Sequence, residues 1–154
     1  MLRVIRCNRG ATAVEFALTV SIFLTLLLAI IEFSRLMMLW GTASEATRIA
    51  ARTGSLCSPG AITEQAIRNR VTTLLEASGQ LTLDGRSDWL VLTYSPLGCT
   101  EANCTLVTAR LSGLRVDLGI PGPPRSVALP DFSATAPREA MLSTIANTAN
   151  DACF

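Results

Sequence analysis

The residues able to do chemistry in this chain are few. There is no histidine, which removes the commonest general base, the Ser–His and Cys–His nucleophile pairs and the commonest metal ligand. Five cysteines remain, Cys7, Cys57, Cys99, Cys104 and Cys153, with a scatter of carboxylates. Cys7 sits in a basic head, whereas the other four lie beyond a long apolar run. An even number of cysteines on the far side of such a run suggests disulfides in an oxidising compartment. Cys99-Thr-Glu-Ala-Asn-Cys104 is a C-x4-C loop between two strand-like runs. A disulfide across it is the first expectation, which leaves Cys57 with Cys153, although four cysteines allow three pairings. A zinc site built from all four is the rival; its pair spacing is wrong, and an oxidising compartment disfavours it. Asp84 and Asp88 flank Gly85-Arg86 and suit a turn. As a catalytic pair they have no supporting context. With no nucleophile motif either, a membrane-anchored hydrolase is the least supported class, and neither a cofactor nor a small-molecule substrate is expected.

One carboxylate stands out by position. Glu15 lies just upstream of a run with no charge from Phe16 to Ile31. A charge at the edge of a membrane-length segment is expensive unless it is paired. Gly10 precedes it by five residues, in Gly10-Ala-Thr-Ala-Val-Glu15. Arg3, Arg6 and Arg9 place +3 in the first ten residues with no acid among them, while the rest of the chain holds ten Arg against twelve Asp and Glu. This head is a positive-inside signal and keeps the N-terminus cytoplasmic. The whole chain carries only +1, so no broad basic surface points to nucleic acid as a partner.

The elements that must position these residues follow from periodicity. Ala11 to Ile31 has one charge and no Pro or Gly; as a helix it is about 31 Å long at ~1.5 Å per residue, enough to cross a bilayer's hydrocarbon. Charged residues are only 16% of the chain, against roughly 25% in soluble domains. The helix need not stop at the bilayer. Glu32 and Arg35 form an i,i+3 pair at the membrane exit, Trp40 marks an interface or a packing contact, and Ala43, Ala46, Ile49, Ala50 and Thr53 recur at helical spacing up to a stop at Gly54. One helix over 11–53 is expected, lipid-soluble in its first half (11–31) and amphipathic in its second. Ser58-Pro59 then caps a second amphipathic helix that closes near Gly79. Trp89–Tyr94, Thr105–Leu111, Leu114–Leu118 and Val127–Thr135 read as strands, with Pro130 weakening the last. Gly119 to Pro124 reads as a loop, and the tail from Pro137 is ambiguous, with a short helix as one reading. The expected fold is α+β, a long N-terminal helix packed on a small antiparallel sheet. Its domains are a basic leader (1–10), the helix (11–53) and an exported domain (54–154). About 100 soluble residues bury only a marginal core, which makes disulfide staples useful.

Three readings of the N-terminus compete. A cleavable secretory signal would place its cut after Ala43, some twelve residues past the apolar run and beyond Glu32 and Arg35. An uncleaved anchor, holding a scaffold protein on the exported side, explains the topology but leaves Glu15 without a reason. A prepilin-type signal needs a short basic leader ending in Gly, a cut after that Gly, and Glu at the fifth mature position. Gly10 and Glu15 have that spacing, and the cut would leave a new α-amino group on Ala11. That positive charge can meet the Glu15 carboxylate of its own or a neighbouring chain.

R-G-A-T-A-V-E-F-A-L at 9–18, I-I-E-F-S-R-L at 30–36 and A-S-E-A-T-R-I-A-A-R-T-G at 43–54 together resemble the TadE-like family, pilin-like proteins of tight-adherence (Flp) pilus systems. The late A-P-R-E at 136–139 is similar to the family's C-terminal half. The resemblance implies a pilin-like fold and single-pass insertion in the bacterial inner membrane, with the C-terminal domain periplasmic. It also implies cutting by a prepilin peptidase after Gly10 and a minor role in assembling or priming the pilus. The partners it implies are that peptidase, other pilin-like subunits, inner-membrane pilus assembly proteins and the lipid bilayer. Major Flp pilins usually carry Glu-Tyr where this chain has Glu15-Phe16, and are much shorter. Both departures favour a minor pseudopilin over the fibre subunit. Glu32 and Arg35 are read as a solvated pair, with contact to a partner helix as the alternative the resemblance offers.

Overall fold

A computed structural model describes residues 9–79, 81–83, 88–119, 125–145, 148–151 and 153. The chain divides into two compact units, Met1–Arg35 and Leu36–Phe154. Helix α1 (Arg9–Leu56, 48 residues) supplies the described part of the first and the opening of the second. In the first unit the polar side chains of the apolar stretch are satisfied locally. Thr19, Ser21, Thr25 and Ser34 donate to the carbonyls four residues back, at 2.7–2.9 Å. Hydroxyls bonded in this way remain compatible with an apolar environment.

In the second unit α1 buries a face of small residues. Leu39, Ala43, Ala46, Thr47, Ala50 and Thr53 are all buried, at the three-to-four-residue spacing of one helical face. The Thr47 hydroxyl donates to the Ala43 carbonyl at 2.8 Å, so its burial leaves no orphan. The helix does not end at Gly54 but continues to Leu56. Gly54 stays in helical conformation because its role is close approach: a Cβ there would lie 2.9 Å from Val107 Cγ1. The lack of a side chain lets the helix backbone touch the central strand of a sheet.

Helix α2 (Ala61–Ala77) starts later than Ser58-Pro59 suggests. Gly60 takes the N-cap position, with no side-chain capping bond. Ser58 is engaged elsewhere, donating its hydroxyl to Glu101 at 2.8 Å. Thr63, Ile67, Val71 and Leu75 form the buried face, and Gly79, at φ 69°, provides the left-handed turn that follows the helix.

Two three-stranded antiparallel sheets complete the α+β architecture. One orders β1 (Leu81–Leu83), β4 (Leu114–Asp117) and β5 (Ser126–Ala128); the other orders β2 (Leu90–Ser95), β3 (Leu106–Leu111) and β6 (Phe132–Pro137). In the second sheet, strict alternation puts Leu90, Val107, Ala109, Leu111 and Phe132 in the core. Its other face carries Thr93, Thr108 and Thr135 in register, with the last two hydroxyls 3.0 Å apart. The single strand expected over Val127–Thr135 is two strands in different sheets, β5 on β4 and β6 on β3. The switch falls at Leu129-Pro130-Asp131, where Pro130 has no N–H to give a ladder. Among its described residues the tail is not helical: it forms a two-stranded ribbon, β7 (Thr144–Ile145) with β8 (Thr148–Ala149). Trp40 makes an edge-on contact with Phe132, ring centroids 5.2 Å apart, so it is a packing residue. Arg68 lies over the Trp89 ring at 5.7 Å and donates to the Leu90 carbonyl at 2.6 Å. The core joins α1, α2 and both sheets through Ala43, Ala50, Ile67, Leu90, Leu111 and Val116.

The two glycines of α1 in this unit make opposite predictions. A Cβ at Gly41 meets nothing within 4 Å, so Gly41→Ala should stabilise the chain by about 0.5–1 kcal/mol through helix propensity. Gly54→Ala gains the same propensity but overpacks Val107, and should destabilise by about 1–3 kcal/mol. Denaturant midpoints of the two variants in detergent test this; equal midpoints would refute the close-approach role of Gly54.

Candidate functional site

The segment Gly10–Arg35 holds the first candidate residues. Gly10 lies in the first turn of α1, and a Cβ there would meet nothing within 4 Å. Ala11 and Glu15 are four residues apart, hence on one helical face. Glu15 and Phe16 are both exposed, Phe16 at 71%. The large apolar side chains that follow, including Leu18, Ile22, Phe23, Leu26 and Ile30, are exposed all around the helix. A helix apolar on every side calls for an apolar surrounding. This one is long and apolar enough to cross a membrane. At its far end Glu32 and Arg35 pair at 3.4 Å, with both side chains largely covered. Arg3, Arg6 and Cys7 of the basic head lie outside the described residues, as do Asp84 and Arg86 and most of the 119–124 loop.

Over residues 10–52 this chain matches the TadE-like protein family. The match begins at Gly10, where the basic head ends, and closes four residues short of the end of α1. It takes in Gly10, Ala11, Glu15, Phe16, Glu32 and Arg35 and stops short of α2, the sheets and the disulfides. The TadE-like family is pilus-associated, pilin-like and structural. Comparison with curated proteins and with solved structures gives no match.

The cysteines beyond the TadE-like segment form two disulfides, Cys57–Cys153 and Cys99–Cys104, so none of the four is left as a thiolate for zinc. The first closes a separation of 96 residues, the second one of 5. Chain entropy alone makes the long loop worth roughly 4–5 kcal/mol and the short one roughly 2 kcal/mol. The loop between β2 and β3 is further fixed by a turn, Cys99 N–H to the Pro96 carbonyl at 3.1 Å, with Gly98 at φ 75° and a cis Ser95-Pro96 bond. Asn103 Oδ1 accepts from the Thr100 amide at 2.6 Å.

Sequence reasoning did not single out Tyr94. Its ring packs against the cluster of Cys104, Val107 and Met141. Its hydroxyl oxygen lies 3.7 Å from the position a Cβ would take at Gly54, and it has no hydrogen-bond partner among the described residues. Burial, with a smaller contribution from the negative charge of Glu64, pushes its pKa from 10.0 up to about 12. The available signal was the alternation of β2, which puts position 94 on the same face as Leu90 and Leu92.

Tyr94 is the only tyrosine, so tyrosinate absorbance reports it alone. The folded chain should titrate near pH 12. The unfolded chain releases its proton first, near pH 10, so this residue lowers stability as pH rises from about 10 to 12. A folded-state midpoint near 10 would contradict the buried hydroxyl. Tyr94→Phe removes an unpaired buried group and should cost less than about 1 kcal/mol.

Proposed function

We propose that this chain is a minor pseudopilin, a structural protein for assembly of a tight-adherence (Flp) pilus, cut by a prepilin peptidase between Gly10 and Ala11. The carrying observation is the Gly10–Glu15 spacing at the head of an exposed apolar helix, inside the TadE-like match. The helix inserts once in the bacterial inner membrane, N-terminus inside by the positive-inside rule, with the domain from residue 54 onward in the periplasm. The two disulfides agree with an oxidising compartment.

The cut changes the electrostatics of the helix start. It creates an α-amino group on Ala11, one turn from Glu15 on the same face. In lipid an unpaired carboxylate is penalised, so Glu15 draws an amino terminus, its own or that of a neighbouring pilin-like subunit, into register. Phe16 extends the apolar surface without the hydroxyl that Tyr would bring. Glu32 and Arg35 neutralise each other where the apolar stretch ends.

Mass spectrometry of the protein purified from cells that contain the peptidase should give a mature N-terminus at Ala11. An intact Met1 would favour an uncleaved, membrane-anchored periplasmic scaffold instead. Glu15→Ala should leave insertion and cutting largely intact while reducing piliation and surface attachment. Normal piliation in that variant would sink the pairing role.

A further inference from the structure

The end of α1 is capped by the far end of the chain. Its last carbonyls have no partner within the helix. Ser55 O accepts from the Glu139 amide at 3.1 Å and Leu56 O from the Leu142 amide at 2.8 Å. Ser58 and Ser143 are reciprocal: the Ser58 amide donates to Ser143 Oγ at 3.1 Å, and the Ser143 amide to Ser58 Oγ at 3.3 Å. Cys57, between these positions, is bonded to Cys153, and both are almost fully buried.

Little apolar burial holds this segment down. Among the described side chains of residues 138–144 only Met141 is buried. It sits in the cluster with Cys104 and Val107, at φ 47°, the single positive φ among described non-glycine residues. A left-handed methionine is strained and keeps that conformation only while its surroundings impose it. A segment with one buried anchor and backbone strain belongs to the low-stability end of a domain. The covalent bond at Cys153 is the strongest tie it has.

We propose that residues 138–145 form a redox-set strap, which docks on the α1–α2 corner when Cys57–Cys153 forms and releases when a dithiol reduces that bond and is itself oxidised to a disulfide. On closing, each thiol gives up one electron and one proton as the S–S bond forms. The electron pair and two protons reduce one disulfide of a thiol–disulfide oxidant to two thiols. Release uncaps Ser55 and Leu56 and withdraws Met141 from Val107 and Cys104. The α1–α2 corner is therefore finished only in an oxidising environment.

Amide hydrogen exchange on the full chain in detergent micelles tests this. In Cys57→Ser/Cys153→Ser, the amides of Glu139, Leu142 and Ser143 should exchange about tenfold or more faster than in the oxidised protein. Those of Val107, Ala109 and Leu111 in the central strand should lose less protection than the strap does, and Cys99→Ser/Cys104→Ser should leave the strap protected. Unchanged strap protection in the first variant would overturn the proposal. So would an equal loss of protection in β3 and in the strap, because the bond would then only staple the whole domain. Strap opening in the Cys99/Cys104 variant would also overturn it, by making the β2–β3 loop the controlling element.

Discussion

The constraint from which the rest follows is that one continuous helix meets two kinds of surroundings. Between Phe16 and Ile31 α1 carries large exposed apolar side chains on every side, a surface that water does not tolerate at that length. From Leu39 onward the same helix offers a narrow face of Ala, Thr and Gly that a domain core covers. Large side chains serve the first requirement because an apolar surrounding rewards apolar area. Small ones serve the second, because they let strands come within van der Waals distance of the backbone, as Gly54 does with Val107.

The charges obey the same constraint. Within the apolar stretch hydroxyls return to their own helix, and Glu32 is neutralised by Arg35. Glu15 is the carboxylate at the opposite end, and the reading of this chain as a pseudopilin turns on what neutralises it. The proposed cut would supply a positive group at Ala11, one turn away. The match to TadE-like proteins over residues 10–52 spans this helix and nothing else. The domain built on its second half is tied together by two disulfides and by a C-terminal segment that caps the helix.

Much of the secondary structure was legible in the sequence, because hydrophobic period is a strong signal in long elements. The α1 periodicity and the strand-like runs Trp89–Tyr94 and Thr105–Leu111, which fall on β2 and β3, all read directly. The failures share a physical cause: one residue type serves two roles that local sequence does not separate. Gly54 looks like a helix stop but is a contact point. Ser58 looks like a helix cap but bonds Glu101 and the C-terminal segment. Val127–Thr135 looks like one strand because nothing local says that Pro130 separates two sheets. The capping of α1 by residues 139 and 142 joins positions more than eighty apart, and no periodicity carries such a contact. At the N-terminus only the spacing of Gly10 and Glu15 is legible. The partner proposed for Glu15 lies in another molecule or in a terminus that only the proposed cut would create.

The most direct test of the central claim is a distance. Solid-state NMR on the protein assembled in membranes, with 15N at the Ala11 amine and 13C at the Glu15 carboxylate, should find the two within about 4 Å, as in an ion pair. Isotopically mixed samples would tell an intrachain pair from one between neighbours. A Glu15 carboxylate with no amino terminus within that range, in either kind of sample, would contradict the account.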